Sequence, residues 1–584
     1  MRGIRTKRLG AALLALTAAM VMSAAVMAND CVVDRNHPEA SDSNPGTESA
    51  PWKTIEHAAQ SVKPGDTVYV MEGAYDERVI LSQSGTPDKW VTFKAVPKHA
   101  AVMRGFDTGK AEYVRIEGFK VTSKNPQLAK KLFTAGIQIR SDHVEVLDNL
   151  LCNIFHGIAG NSKRVRVAYN RIYHVQFGLG VSPPAEHWVI EHNEICRIFK
   201  YFDMDCDYSR MWGKDLVVRY NRFHGTRRGT TPGEENEVGK AHLDIVQTFA
   251  HKEEYSLTNL EFAHNVCFVF SQGLMANSRS HPGNIADLTF RNNIFAAGGA
   301  WGLCCHKVHH LKAVNNTFVI GPGAFGVGLR NDSHHGVIEN NILCNAGAGA
   351  PGLSLMAALP HSIKGNLVHN SKMPPDAGPG EAVKGNPKFA DPERRNFRLT
   401  RGSPAIDAGE GGRDIGALEY PNVYHVNPRH PGASDDGFGY PGWPFRTVAA
   451  ALKMAQPGET VILRGGTYRE LIAPPTDGVT LRAAEGEKVV VSGDDLIIGW
   501  KRMGNGRWSA PLAAKPVLVL KDGKPFSGFT YDGTEKKILV EGFDPRLRAM
   551  ETVVRSRGID LAGKENVKVI GLETVSTPAM PLGE

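Results

Sequence analysis

The sequence predicts an all-β protein built as a parallel β-helix, a solenoid whose coils each add short strands to stacked sheets. Three observations support this prediction: an asparagine that recurs along the chain, short segments rich in Val and Ile, and an entry segment that occurs twice. A period in the twenties with short strands and no helical periodicity is typical of a solenoid. Leucine-rich repeats have a similar period, but their leucine framework is absent.

The first 28 of the 584 residues have a basic start, an apolar run and a small-residue end. This pattern predicts a secretory signal peptide over residues 1–28, cleaved after Ala28. No later apolar run approaches the ~18 residues that cross a bilayer. We therefore expect an exported protein, periplasmic or extracellular, without a membrane span.

The composition is that of an ordinary globular protein, with 42% hydrophobic and 22% charged residues. The net charge of +7 fits an acidic partner, such as a uronate-containing or sulfated polysaccharide. Nucleic acid is disfavoured, because the sequence has no basic stripe and no known reader motif. We expect a monomer.

An entry segment precedes the repeats. In PWKTIEHAAQSVKPGDTVYV, residues 56–62 have the pattern of an amphipathic cap helix, KPGD that of a turn, and TVYV that of a first strand.

The repeat follows between about residues 135 and 370 and is marked by an asparagine before apolar residues, as in YNRI and NNIF. Its spacing is 21 to 28 residues except for one gap of 44, which contains the charged insertion 225–240. The segments between are β-prone, and stacked asparagine amides at a turn can bond from coil to coil. The marker asparagines are Asn149, Asn170, Asn193, Asn221, Asn265, Asn293, Asn316, Asn341 and Asn366.

The eight cysteines show neither CxxC pairs nor zinc-ligand spacing. Several lie just after a marker asparagine, where a cysteine acts as a small apolar core residue. A disulfide framework in an oxidising compartment is the alternative.

Three parts of the chain together resemble the right-handed parallel β-helix, or pectate-lyase-like, superfamily of exported carbohydrate-active proteins. They are the entry segment, the asparagine-marked array, and the closing segment NFRLTRGSPAIDAGEGGRDIGALEY at 396–420. The resemblance spans roughly residues 40–420 and implies a right-handed helix with an N-terminal cap over residues 29–420. It does not fix an activity, because one fold serves many functions.

The entry segment recurs: residues 51–77 match residues 444–470 at a constant offset of 393. The repetition predicts a second, shorter β-helix-like unit over residues 421–584. We expect it to be a docking or stabilising module.

The candidate site comes from alternation along two strands, FDMDCDY (202–208) and AHLDIV (241–246). Side chains alternate between the two faces of a strand, so the apolar positions are predicted to point inward and the charged ones outward. Neighbouring coils are ~4.8 Å apart, which would pair Asp205 with Asp244 and Asp203 with His242. The predicted inward residues are Phe202, Met204, Cys206, Leu243 and Ile245, and the outward ones are Asp203, Asp205, Asp207, His242 and Asp244.

Charged and aromatic residues surround this cluster. The insertion brings Arg228 and Lys240, and carbohydrate sites combine such cations with carboxylates and stacking rings. A solvated aspartate ladder in which His242 pairs with Asp203 is the structural alternative. The predicted substrate-binding residues are Asp203, Gln247, Asn277, His306, Arg330, Tyr208 and Trp212.

Two enzymatic interpretations are open. In a polysaccharide lyase acting on an anionic glycan, Asp205, Asp207 and Asp244 would hold Ca²⁺. Lys240, Arg228 or His242 would then remove the C5 proton of a uronate.

In a retaining glycoside hydrolase, Asp205 and Asp244 would be the carboxyl pair and His242 a helper. A β-helix that binds a glycan or surface without catalysis is the third interpretation. The positive net charge favours the lyase.

Overall fold

The computed structural model describes residues 30–123, 135–229, 234–321, 324–345, 352–355, 361–372, 382–555 and 557–575. The predicted signal peptide lies outside the described residues. Within these ranges, no helix is both long and apolar enough to cross a membrane.

The chain enters the solenoid through a cap helix, Ile55–Ser61. The Thr54 hydroxyl caps this helix by accepting from the His57 N–H, and Asp42 in turn accepts from the Thr54 N–H at 2.9 Å. The helix covers the open end of the first coil, burying Ile55. The entry strands are Asp30–Val33, Thr67–Ile80 and Val91–Asp107.

The coils that follow place their strands in three parallel stacks, which confirms the predicted fold class. The first stack comprises Val114–Glu117, Val144–Leu147, Lys163–Ala168, Glu186–Glu191, Gly213–Arg219, Leu257–Ala263, Ile285–Arg291, His309–Val314, Val337–Glu339 and Ser362–Lys364.

The second stack begins just after each marker asparagine. It comprises Lys120–Thr122, Leu150–Gly160, Arg171–Val181, Glu194–Cys196, Arg222–His224, Val266–Asn277, Ile294–His306, Thr317–Ile320, Ile342–Asn345, Asn366–His369 and Ala382–Lys384.

The third stack combines parts of four long second-stack strands with five separate strands. The four strands contribute their later halves and are Leu150–Gly160, Arg171–Val181, Val266–Asn277 and Ile294–His306. The separate strands are Ala135–Ile139, Cys206–Met211, Leu243–Phe249, Phe325–Arg330 and Leu353–Leu355. An antiparallel pair, Phe389–Asp391 with Asn396–Leu399, follows the solenoid.

The marker asparagines form a continuous buried ladder between the first and second stacks. Each side-chain oxygen accepts from the backbone N–H and the amide of the asparagine one coil earlier, as Asn193 bonds Asn221 at 2.9 and 3.0 Å. The ladder continues across the 44-residue gap, where the Asn221 N–H donates to Asn265 at 2.8 Å. The insertion therefore leaves the stacking of the coils unchanged.

The core inside the coils is aliphatic and aromatic, as the Val/Ile-rich strands predict. Within the described residues all eight cysteines are free thiols and seven are buried, so they serve as small apolar side chains.

The second unit repeats the entry of the first. Its helix, Val448–Met454, has Thr447 as N-cap, and Asp435 bonds the Thr447 N–H at 2.9 Å, as Asp42 bonds Thr54. Its parallel strands are Val423–Val426, Thr460–Leu463, Gly466–Tyr468, Thr480–Ala483, Val489–Ser492, Lys568–Ile570 and Leu572–Val575.

Two small antiparallel sheets interrupt this unit between Val489–Ser492 and Lys568–Ile570. A 3₁₀ turn, Pro545–Leu547, belongs to the same interruption. The antiparallel strands are Asp494–Leu496, Lys501–Gly504, Arg507–Pro511, Val519–Lys521, Lys524–Pro525, Phe529–Asp532, Lys537–Glu541 and Met550–Val553.

The second unit packs along the asparagine edge of the first. There the residues that precede the marker asparagines form a stack of rings, with the His192 ring 5.0 Å from both Tyr169 and Tyr220. Arg429 lies over Tyr169 at 4.1 Å and Arg464 over Tyr220 at 4.8 Å. The contact therefore rests on cation–π pairs that span several coils.

Candidate functional site

The outward side chains of the third stack form three columns, which the strand register defines. The acid column is His156, Phe177, Asp207, Asp244, Gln272, Trp301 and Phe325. The middle column is Ala159, Gly180, Arg210, Gln247, Met275, Cys304 and Gly328. The outer column is Phe249, Asn277, His306 and Arg330.

Asp207 and Asp244 are direct partners on adjacent coils at the centre of the acid column. Arg210 donates to the Asp207 carboxylate at 2.5 Å, and Gln247 donates its amide to Asp244 at 3.1 Å. Both carboxyl groups are fully buried, and Asp244 Oδ1 has no hydrogen-bond partner among the described residues. The two carboxyls thus have unequal partners: a guanidinium for Asp207 and a neutral amide for Asp244.

The surroundings raise the pKa of both carboxyl groups. Burial is the main cause for Asp207, whose pKa rises to about 6 although Arg210 opposes the shift. Burial and then the nearby charge of Asp207 raise the pKa of Asp244 well above its ordinary value. Arg210 lowers the pKa of both carboxyl groups but donates a hydrogen bond only to Asp207, and the charge of Asp207 raises the pKa of Asp244. Asp244 is therefore the carboxyl of the two that favours its protonated form more strongly.

Cationic side chains surround the pair. Arg228, from the insertion, lies close enough to Asp244 for that carboxylate to favour its charged form, although burial lowers the pKa of Arg228. On the outer column, Arg279 bonds His306 at 2.6 Å, and Arg330 lies over the Phe325 ring at 4.9 Å. Neither Arg279 nor Arg330 has a carboxylate partner in the described part of the chain. The face therefore carries uncompensated positive charge.

Aromatic rings flank the acid pair along its own column. On one side Arg210 lies over Phe177 at 4.5 Å, and on the other Trp301 stacks on Phe325 with ring centroids 5.4 Å apart. The glycine Gly328 makes room for one of these rings, because a Cβ there would lie 2.4 Å from Phe325. Of these rings Phe177 and Phe325 are buried, and Trp301 is partly exposed.

His156 is the first residue of the acid column. Its ring extends toward the middle column, where a Cβ on Gly180 would lie 2.5 Å from it. Its Nε2 is buried without a partner among the described residues. Burial and then the charge of Arg210 lower the pKa of His156 to about 4, so the imidazole is neutral at neutral pH.

The structure corrects the predicted register. The strand begins at Cys206, so Asp203 and Asp205 lie in the preceding turn and not on the strand. Asp207, not Asp205, is the partner of Asp244. Of the predicted inward residues 202, 204 and 206, only Cys206 is in the core, because the turn removes the alternation on which the prediction rests.

The predicted pairing of Asp203 with His242 is also wrong. Asp203 is fully exposed and its carboxylate bonds Lys200 at 2.6 Å. His242 and Lys240 are exposed and precede the strand Leu243–Phe249. Both residues therefore precede the strand positions that form the columns.

Two predicted aromatic binding residues are structural. Tyr208 is completely buried in the core, where its hydroxyl bonds Thr226 at 2.9 Å, because it alternates along the strand with the outward Asp207. Trp212 is also buried, and its indole donates to the Phe249 carbonyl at 3.0 Å. Tyr208 and Trp212 are therefore not available to stack on a ligand.

The remaining predicted binding residues do lie on the face. Asn277, His306 and Arg330 follow one another on the outer column, as predicted. Asn277, however, is aligned with Phe249 and not with Asp244, whose neighbour is Gln272. Gln247 lies in the middle column, bonded to Asp244.

The predicted calcium ligands do not fit a shared ion as they are placed. Arg210 already bonds Asp207 and lies 3.8 Å from Asp205. The metal-compatible group found among the described residues lies elsewhere, at Glu194, Cys196 and His224. That group is engaged, because Arg171 and His224 both contact Glu194 at 2.8 Å and burial raises the pKa of the Cys196 thiol to about 12.

Sequence reasoning missed Arg210, Gln272, Trp301, Phe325 and His156. The spacing of Arg210 three residues after Asp207 could have indicated the first of them. The rings could not be assigned, because their place in the acid column depends on irregularities in the pairing of Val266–Asn277 with Ile294–His306.

Comparisons with known proteins give partial matches. Residues 39–80 match the family model described as "Protein of unknown function (DUF1565)". The uncharacterized protein YwoF of Bacillus subtilis (strain 168) is 37% identical over 76 residues, which is 13% of this chain and 16% of that protein.

Solved structures with a similar course of the chain include two lyases and an epimerase. The PL6 family alginate lyase AlyGC has a TM-score of 0.38 and 14% identity, covering 80% of this chain and 68% of its own. Pectate lyase Pel9A has a TM-score of 0.38 and 13% identity, with coverages of 68% and 97%. The A-module of the Azotobacter vinelandii mannuronan C-5 epimerase AlgE6 has a TM-score of 0.40 and 12% identity, with coverages of 60% and 97%.

Proposed function

We propose that this protein is an exported carbohydrate-active enzyme that cleaves an anionic, uronate-containing polysaccharide by β-elimination on the face of the third stack. The observation that supports it best is the buried Asp207–Asp244 pair, in which only Asp207 has an arginine partner. An unequal carboxyl pair provides a base and an acid side by side.

In this proposal Arg210 and Arg228 neutralise the substrate carboxylate, which makes the C5 proton of the uronate easier to remove. Asp207 accepts that proton, and Asp244 donates its own to the leaving glycosidic oxygen. The proton that Asp207 gains and the one that Asp244 loses balance, and solvent exchange resets the pair. Both carboxyls are buried, so the flexible side chains of Arg210, Gln247 and Arg228 must move aside for substrate to enter.

The face also suits a chain-like anionic ligand. Sugars lying along the acid column would meet the partly exposed Trp301 ring, which stacks on the buried Phe325 ring. Arg330 ends the strand that begins at Phe325, and Arg279 follows the strand Val266–Asn277, so both would offer cations to further uronates. Coils repeat every ~4.8 Å, close to the length of one sugar unit.

A retaining glycoside hydrolase is the second candidate, and the same pair favours it. Carboxyls on adjacent coils lie near the ~5–5.5 Å separation of retaining enzymes. Asp244 would then protonate the leaving oxygen and Asp207 would attack the anomeric carbon.

An oligosaccharide panel distinguishes the two reactions and the non-catalytic alternative. A lyase produces unsaturated uronates that absorb in the ultraviolet, a hydrolase produces reducing ends without that absorbance, and a binder produces neither. Running each assay with and without chelator tests the predicted calcium requirement separately.

Substitution of the pair tests the assignment of roles. Asp244→Asn and Asp207→Asn should each lower kcat by about 10²-fold or more, because each removes an acid or a base. Asp205→Asn makes the same change in the neighbouring turn and should retain most activity. Activity that survives Asp244→Asn, or that millimolar Ca²⁺ restores, would contradict the direct acid role.

A further inference from the structure

Four histidines gather at the turns that lead into the first stack, away from the acid column. His309 and His310 begin the strand His309–Val314, and His334 and His335 occupy the same place one coil later. His309 and His334 are bridge partners, which fixes the two pairs one above the other. The proposed function uses none of these side chains.

The backbone explains why these side chains lie together. Asp287, His310 and His335 have φ angles of 57°, 55° and 55°, a left-handed conformation repeated at one turn position. Strand pairing places Asp287 one coil before His310, and His335 one coil after it. Adjacent coils are ~4.8 Å apart, so the three side chains project from successive coils as neighbours.

The contacts bring ligand-type atoms close together. His334 Nδ1 lies 2.6 Å from His335 Nδ1, and His310 Nδ1 lies 3.0 Å from Asp287 Oδ1. The His309 and His334 rings stack at 3.8 Å, and the His310 and His335 centroids are 5.4 Å apart. About half of the His310 side chain is exposed, so an ion can approach from solvent.

We propose that His310, His334 and His335, supported by His309 and Asp287, bind one divalent late-transition-metal ion of the Zn²⁺, Ni²⁺ or Cu²⁺ class. Imidazole nitrogens at ~2.0–2.1 Å are the ligands these ions prefer, whereas Ca²⁺ requires oxygen ligands. As placed, His310, His334 and His335 do not bring three ligand atoms within reach of one ion, so binding requires the exposed His310 and His335 rings to rotate about their side-chain bonds.

The alternative is a solvated turn in which the rings only bond one another. The crowding argues against it, because four imidazoles on two coils repel each other once protonated.

The site would connect the last two coils of the outer column. His309 follows His306 by three residues, and His334 follows Arg330 by four. Ser333 anchors the second turn by accepting from the Val308 N–H at 3.1 Å. A bound ion would therefore fix two coils that end in His306 and Arg330.

The test uses the full chain without a histidine tag, titrated with Zn²⁺ by calorimetry and with Cu²⁺ under electron paramagnetic resonance. We expect one ion per chain, nitrogen hyperfine structure from at least two imidazoles, and a higher Tm with Zn²⁺. His310→Ala and His335→Ala should each weaken binding at least about tenfold, or ~1.4 kcal/mol.

His187→Ala is the matched control. His187 has a φ of 56°, lies at the same turn position on an earlier coil, and contacts Asp215 at 3.5 Å. This variant should bind Zn²⁺ as the wild type does. Absence of one-to-one binding, or equal affinity in the His310, His335 and His187 variants, would overturn the proposal.

Discussion

At the scale of single residues, the acid pair shows how two identical side chains acquire different properties. Asp207 accepts from the Arg210 guanidinium and Asp244 from the neutral Gln247 amide, so ionisation is supported more strongly at Asp207 than at Asp244. The difference arises from position, because the middle column supplies a cation on one coil and an amide on the next.

The sequence could indicate these residues only in part. The alternation of Leu243, Asp244 and Ile245 matches the structure, with Leu243 and Ile245 in the core and Asp244 beside Asp207 of the neighbouring coil. The earlier segment did not, since FDMDC alternates in composition while it forms a turn that leaves Met204 exposed. A binary pattern cannot reveal where a strand starts when its flanking turn has the same pattern.

The raised pKa values predict how Asp244→Asn affects stability. An unfolded aspartate releases its proton near pH 4, while the buried pair retains one, so the wild type loses stability as pH rises above about 4. Asn cannot ionise and avoids this loss. We expect a variant with Tm unchanged near pH 4 and higher than wild type at pH 8, measured by calorimetry. A lower Tm at pH 8 would contradict the burial of an ionisable pair.

At the scale of elements, the asparagine ladder sets the register of the coils. It was predictable in full, because its period is visible in the sequence and its chemistry requires one residue type. The second-stack strands that follow it were predictable as well. The columns of the third stack were not, because the connections between the second and third stacks vary in length from coil to coil.

Asn221→Ala should show how much the asparagine ladder contributes to the free energy of unfolding. The change removes the acceptor for two donors of Asn193: its buried backbone N–H loses its partner, while its amide keeps the Val167 and Glu191 carbonyls. It also removes the bonds that the Asn221 amide donates to Ile190, Arg219 and Asn265. The expected loss is about 3 kcal/mol or more in the free energy of unfolding, measured by denaturant titration. Asn284→Ala, which removes a single exposed bond to Glu253, should cost less than about 1 kcal/mol.

At the scale of the whole molecule, the entry segment forms the same elements twice: a strand, a capped helix and a second strand. Each copy has a tyrosine whose hydroxyl bonds one carbonyl of its own coil and one of the preceding strand. The boundary near residue 421 remains a prediction. The structure adds that residues after it cover part of the first unit, since Tyr440 and Trp443 pack on Phe268 and Phe397.

Two truncated chains should show whether the first unit folds without the covering segment and how much stability that segment adds. A chain ending at residue 422 should fold with β-type circular dichroism, because the ladder and main core are intact. A chain ending at residue 446 keeps Arg429, His430 and Tyr440 and should have a Tm several degrees higher. An insoluble or molten shorter chain would show that the units are not independent, and equal Tm values would show that the segment adds no stability.

The packing of the second unit along the asparagine edge has a mechanical consequence. Arg429 bonds Asp148, Arg464 contacts His192, and His430 bonds the Tyr220 carbonyl. The second unit therefore contacts several successive coils of the first. A bare solenoid can fray coil by coil from its ends, since each coil touches only its neighbours. The second unit bridges several coils along one side, so we expect the bridged coils to unfold together. The amide protons of the bridged coils should therefore exchange with deuterium as one block, while those of the other coils should exchange coil by coil.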